Sequence, residues 1–122
     1  MKYSEKTNEI LVRWQQAKVQ YDTLDLFFPD SLHPDEETAA MRKAVTIEYF
    51  AAKQALKGIE ESELVPLVKQ ALPEPPDVNL KTRDGYALWC KVERDMIAAE
   101  QKLFDISLEV ADLFPHLPKQ IQ

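Results

Sequence analysis

Three glutamates, Glu48, Glu93 and Glu100, lie on or beside the apolar faces of predicted helices. Carboxylates that project into a helical bundle are the raw material of di-iron sites and of metal-dependent nucleotide pyrophosphohydrolases. Di-iron bundles also need Glu-x-x-His pairs, however, and neither histidine falls within a long predicted helix. Glu93 and Glu100 are separated by about 10.5 Å along a helix axis, which is too far for one ion without further ligands. We therefore expect ion pairs with basic side chains instead, and the candidates are Arg13, Arg42, Lys53 and Arg94.

The two histidines, His33 and His116, follow similar stretches of sequence, DLFFP at 25–29 and DLFP at 112–115. With Asp30 and Asp112 close by in sequence, a metal site of two histidines and two carboxylates is conceivable. The spacing of these residues is not diagnostic, and histidines are common in surface loops. The sequence therefore assigns no metal ligand.

Other catalytic chemistry has little support in the sequence. Cys90 and Ser107 lie inside predicted helices with no histidine at helical spacing, so no general base can be assigned to either nucleophile. The chain has only two glycines, Gly58 and Gly85, which argues against a glycine-rich loop for phosphates or dinucleotides. We predict no catalytic or cofactor-binding residue and no cofactor, and the sequence leaves open whether the protein is an enzyme.

The net charge of −6 is spread along the 122 residues without a basic stripe, so nucleic-acid binding is not expected. The polar helix faces carry as much acid as base, which disfavours a membrane-surface helix. The single cysteine cannot form an internal disulfide. The polar start lacks the apolar stretch of a secretory signal, and no apolar run approaches the roughly 20 residues that span a bilayer. These features predict a cytoplasmic protein.

Apolar residues spaced alternately by three and four positions predict helices along most of the chain. The predicted ranges are 4–28, 34–57, 62–72 and 83–114. Proline ends the first helix at Pro29, and acidic residues 35–37 suit the first turn of the second. No useful stretch alternates with period two, so we expect no sheet. Because short connections make consecutive helices antiparallel, the prediction is an all-α fold: an up-down-up bundle of three long helices plus one short helix, forming a single domain over 1–122.

This arrangement places both Asp-Leu-Phe segments, at 25–27 and 112–114, at the same end of the bundle. Phe28 and Phe114 would then close that end of the core, which is an architectural reason for the near repetition. The seams of apolar residues along the helices also predict four core residues: Trp14, Trp89, Met96 and Leu103. The last helix has two adjacent seams, and the second of them holds Tyr86, Cys90, Ile97, Phe104 and Phe114.

The last helix is too long for its neighbours. At 1.5 Å per residue it would measure about 48 Å, against about 36 Å for each of the first two helices. Its start would therefore project, and the apolar Tyr86, Leu88 and Trp89 would remain in water. We expect this start, together with Phe27 and Phe28, to bind another protein or a second copy in a homodimer. The predicted function is a small cytoplasmic protein–protein interaction module (an adaptor, inhibitor or regulatory subunit) without catalytic activity, and the alternative is a carboxylate- and metal-dependent hydrolase that uses glutamates inside the bundle.

Overall fold

The computed structural model describes residues 3–27 and 35–113, and the side chains within 3–24 and 35–112. It contains three long helices, α1 (Glu5–Phe27), α2 (Glu36–Ala55) and α4 (Arg83–Leu113), and one short helix, α3 (Val65–Ala71). A 3-10 turn, Leu56–Gly58, follows α2 directly. The described ranges contain no strand. The prediction of an all-α bundle of three long helices and one short helix is confirmed.

Local hydrogen bonds explain where two of the helices begin. The backbone N–H of Thr38 donates to the Asp35 carboxylate at 2.6 Å, which caps α2 and lowers the pKa of Asp35. The backbone N–H of Gly85 donates to the Thr82 hydroxyl at 3.0 Å, which caps α4. The carbonyl of Asn79 lies so close to Gly85 that a Cβ there would collide with it. The turn before α4 therefore requires glycine at position 85.

Helices α1 and α2 are antiparallel neighbours. Thr7 and Ile10, near the start of α1, lie beside Glu61 and Gly58, which follow the end of α2. The Ser4 backbone N–H also donates to the Glu61 carboxylate, and the hydrogen bonds from Ser4 hold the pKa of Glu61 below its usual value. Helix α1 packs against both α2 and α4, and α3 packs against α4. Helix α1 is consequently the central element of the described bundle.

One apolar core joins all four helices. Trp14 is completely buried in it and meets Phe104 edge to face, with ring centroids 6.4 Å apart. The buried members of the core are Leu11, Val12, Trp14, Ala17, Ala52, Leu56, Ile59, Leu64, Val68, Ala71, Ala99, Leu103 and Val110. Trp14 and Leu103 are core residues, as predicted. Leu11 and Val12 are buried as well, because α1 contacts two helices and so has a wider apolar face than one seam provides.

The prediction that Trp89 and Met96 are core residues is wrong. Both are only partly buried. Every described α4 side chain that is buried lies at Ala99 or beyond it. Helix α4 has 31 residues and α1 has 23, so the first half of α4 has too little neighbouring helix to cover it. The predicted meeting of Phe28 and Phe114 at one end of the bundle lies outside the described residues.

A buried amide in α1 gives a test of the core. Asn8 is 2% exposed, and neither atom of its side-chain amide has a hydrogen-bond partner. An unsatisfied buried polar group costs about 1–3 kcal/mol, so Asn8→Leu should raise the free energy of unfolding by about that amount in urea melts. The neighbouring Thr7 is also buried but is hydrogen-bonded to Ser4 and Glu61, so Thr7→Val should lower it. A loss of stability in Asn8→Leu would contradict the prediction.

Candidate functional site

One face of α4 is uncovered near the start of the helix, within the part of the chain that the structure describes. Tyr86, Cys90, Glu93 and Ile97 are spaced by four, three and four residues, which places them in a line along one side of the helix. We call these four residues the α4 stripe. Tyr86 is 56% exposed and Ile97 is 61% exposed, although both are large and apolar. Within residues 83–98, all of which the structure describes, no side chain is buried.

The α4 stripe continues a line of residues that is packed further along the helix. The next members at the same spacing are Glu100 and Phe104. The Glu100 carboxylate meets Lys53 of α2, and Phe104 meets Trp14 of α1. The side of α4 that forms helix–helix contacts in its second half is therefore open in its first half.

Aromatic side chains dominate the open part of this surface. The rings of Tyr86 and Trp89 stack, with centroids 6.3 Å apart and planes inclined by 27°. A hydrogen bond with the Cys90 side chain raises the pKa of Tyr86, and the charge of Glu93 adds to the effect. A tyrosine phenol is already uncharged at neutral pH, and this shift of the pKa favours the same form. An uncharged, stacked aromatic pair is well suited to contact apolar surface.

An open groove of about 360 Å³ lies beside Met96, between α2, α4 and the segment that follows α3. Its apolar lining includes Phe50, Leu72 and Pro73, and Lys57 contributes a basic group. Lys53 lines the groove and pairs with Glu100, the next residue on the line of the α4 stripe, so the groove lies near the Ile97 end of the stripe. Together they form one uneven apolar surface with a charged rim.

The carboxylates that suggested a metal site are engaged in ion pairs. Arg13 contacts both oxygens of Glu48, and the shortest distance is 2.6 Å. Lys53 Nζ lies 2.6 Å from Glu100 Oε1, in an ion pair that is not aligned as a hydrogen bond. The ion-pair prediction is confirmed for these two glutamates, whereas Glu93 belongs to the α4 stripe. Within the ranges 3–27 and 35–113, no three histidine, cysteine or acidic residues form a group that would hold a metal ion.

The structure describes the side chains of three of the five predicted interaction residues. Tyr86 and Leu88 are exposed and Trp89 is half-buried, all on the first two turns of α4. Phe27 is the last residue of α1, but its side chain lies outside the described part, as do Phe28, His33 and His116. The exposure of Ile97 was not predicted from the sequence. Its spacing suits a core seam, and only the mismatch in helix length could have indicated that it is open.

Comparison with known proteins finds no protein family that matches the chain and no curated protein or solved structure that is significantly similar to it. Among the described residues, no helix combines the length and the apolar character needed to cross a bilayer.

Proposed function

We propose that this protein is a small cytoplasmic protein–protein interaction module, such as an adaptor, inhibitor or regulatory subunit, that binds a partner on the α4 stripe. The observation that carries the proposal is the open first half of α4. Residues 83–98 include Tyr86, Leu88, Trp89 and Ile97, yet none of their side chains is buried. Large apolar side chains that a soluble protein leaves exposed are a frequent mark of an interaction site.

The composition of the surface supports a protein partner. Tyrosine and tryptophan are enriched among the residues that dominate binding energy at protein interfaces. The line of Tyr86, Cys90, Glu93 and Ile97 has the spacing with which one helix packs along another. A partner helix on this line would reach the groove beside Met96, where the apolar lining offers a pocket for one further side chain. The favoured mode is therefore helix-to-helix docking.

The ion pairs of the glutamates support the non-catalytic interpretation over the metal-dependent hydrolase. Glu100 is nearly enclosed together with Lys53, with side-chain exposures of 10% and 14%. Using this carboxylate as a metal ligand would leave the ammonium group of Lys53 buried without its partner, which is costly. Glu48 is held in the same way by Arg13, although nearer to solvent. No arrangement in the described part of the chain favours the hydrolase.

Affinity capture from cells of the native host tests the proposal with a matched pair of substitutions. Ile97 and Ile47 are isoleucines of nearly equal exposure, 61% and 59%, on different helices. Ile47 lies six residues before Lys53, about 120° around α2 from the side that meets α4. We expect Ile97→Glu to lose proteins that the wild type retains and Ile47→Glu to retain them, as quantified by mass spectrometry. Identical capture by all three proteins would contradict a binding role for the α4 stripe.

A further inference from the structure

We infer that the partner on the α4 stripe is a second copy of this chain, bound as an antiparallel α4–α4 pair across a two-fold axis. This inference rests on the proposed function, because it names the occupant of the same surface. Two-fold dimers are the commonest oligomers and join identical surface patches. The patch on α4 must therefore be complementary to itself.

The charges around the α4 stripe cancel. Residues 83–98 carry three basic and three acidic side chains, which are Arg83, Lys91, Arg94, Asp84, Glu93 and Asp95. The whole chain carries a net charge of −6, so two copies repel each other over the rest of their surfaces. A neutral patch with exposed aromatic residues is a place where two acidic copies can approach closely. Charge complementarity at an interface favours the correct partner and register.

The position of Glu93 selects the antiparallel direction. In a parallel, in-register pair each residue faces its own counterpart, which would place two Glu93 carboxylates against each other. Like charges in direct opposition are destabilising. The same clash arises in an antiparallel pair whose axis passes through Glu93. An axis at Cys90 avoids it, but it places Ile97 opposite Arg83 of the second copy.

A two-fold axis between Lys91 and Val92 avoids both faults. Tyr86 then lies opposite Ile97 of the second copy, and Cys90 lies opposite Glu93 of the second copy. The apolar Tyr86 and Ile97 side chains meet at both ends of the overlap, and no like charges are opposed. The overlap between the levels of Tyr86 and Ile97 is about 16 Å long, so the interface is small and the dimer should be a weak one.

Sedimentation velocity across the micromolar range tests whether the partner is a second copy of the chain. The wild type, with a monomer mass of 14.1 kDa, should shift from monomer to dimer as its concentration rises. Ile97→Glu should remain monomeric, and Ile47→Glu should dimerise like the wild type. Urea melts of both variants establish that they remain folded, as exposed positions allow. A dimer that persists in Ile97→Glu, or that is lost in Ile47→Glu, would overturn the inference.

Cysteine chemistry tests the register, because Cys90 is the only cysteine of the chain. The wild type is mixed with a Cys90→Ser/Glu93→Cys variant, so that each chain has one thiol and no disulfide can form within a chain. After mild oxidation, intact mass spectrometry should find mainly the mixed disulfide, since the two thiols are level across the proposed axis. In a pair of identical chains, the two thiols are offset from each other by about 4.5 Å along the helix axis. A statistical mixture of the three disulfides would overturn the register.

The combined outcomes separate this inference from the proposed function. In one outcome the wild type stays monomeric at every concentration, and Ile97→Glu loses captured proteins. That outcome overturns the inference that the partner is a second copy, and it leaves the interaction module with a different partner. A monomeric wild type whose captured proteins are unaffected by Ile97→Glu overturns both. A concentration-dependent dimer that Ile97→Glu abolishes supports both.

Discussion

Trp14→Ala should lower the free energy of unfolding by about 3–5 kcal/mol, which is the usual cost of removing a large aromatic side chain from a core. The indole of Trp14 is completely buried and contacts the edge of Phe104. It lies in the core where α1 meets α4, so the cavity left by alanine cannot be filled by one flexible neighbour. Urea melts of the wild type and the variant measure the loss.

Trp14→Phe is the matched control for that substitution. The indole N–H of Trp14 is buried without a hydrogen-bond partner, so phenylalanine removes an unsatisfied donor while it keeps most of the apolar volume. We expect the control to lose less than half as much stability as the alanine variant. If Trp14→Ala lost less than about 1 kcal/mol, the indole would not be the centre of the core.

Lys53→Met should destabilise the fold by about 3–5 kcal/mol, because it leaves the Glu100 carboxylate buried without its cation. Adding Glu100→Leu should restore the free energy of unfolding to the wild-type value or above it, since an apolar pair avoids the desolvation of two charges. Urea melts of the two single variants and the double variant form a double-mutant cycle that isolates the pair. Independent, additive losses would show that the two side chains do not interact.

The ion pair Arg13–Glu48 is the control for that cycle. It joins α1 to α2, as Lys53–Glu100 joins α2 to α4, and its distance is equally short. Its side chains, however, are 48% and 31% exposed. Because water solvates an exposed charge that loses its partner, Arg13→Met should cost no more than about 1 kcal/mol. A cost equal to that of Lys53→Met would mean that burial does not determine the strength of these two pairs.

Local chemistry made the helices predictable from the sequence. The three-and-four spacing of apolar residues identified all four helices, and Asp35 and Thr82 cap α2 and α4 through hydrogen bonds to residues three positions ahead. Such signals lie within a few residues of the feature that they determine. Helix α3 begins at Val65, not near Ser62: residues 62–64 form a turn in which the backbone N–H of Leu64 donates to the carbonyl of Glu61.

Burial depends on residues that are distant in sequence, and it was predicted less well. Trp89 and Leu103 have similar apolar surroundings in the sequence, yet only Leu103 is buried, because it lies in the part of α4 on which the other helices pack. The same mismatch in length made the exposure of Tyr86 and Leu88 predictable. It did not reveal that the open face continues to Ile97, since the position where a neighbouring helix stops is a property of packing.

The uneven burial of α4 gives one continuous helix two different stabilities. From Ala99 onward, buried side chains hold each turn, so its amide hydrogens exchange only when the bundle opens as a whole. Residues 83–98 have no buried side chain, and a helical segment of this length is marginal in water on its own. We therefore expect this segment to open locally at a lower free energy than the rest of the bundle. Binding at its surface consequently orders part of the chain as well as burying apolar area, and it carries the negative heat-capacity change and the entropic cost of folding coupled to association.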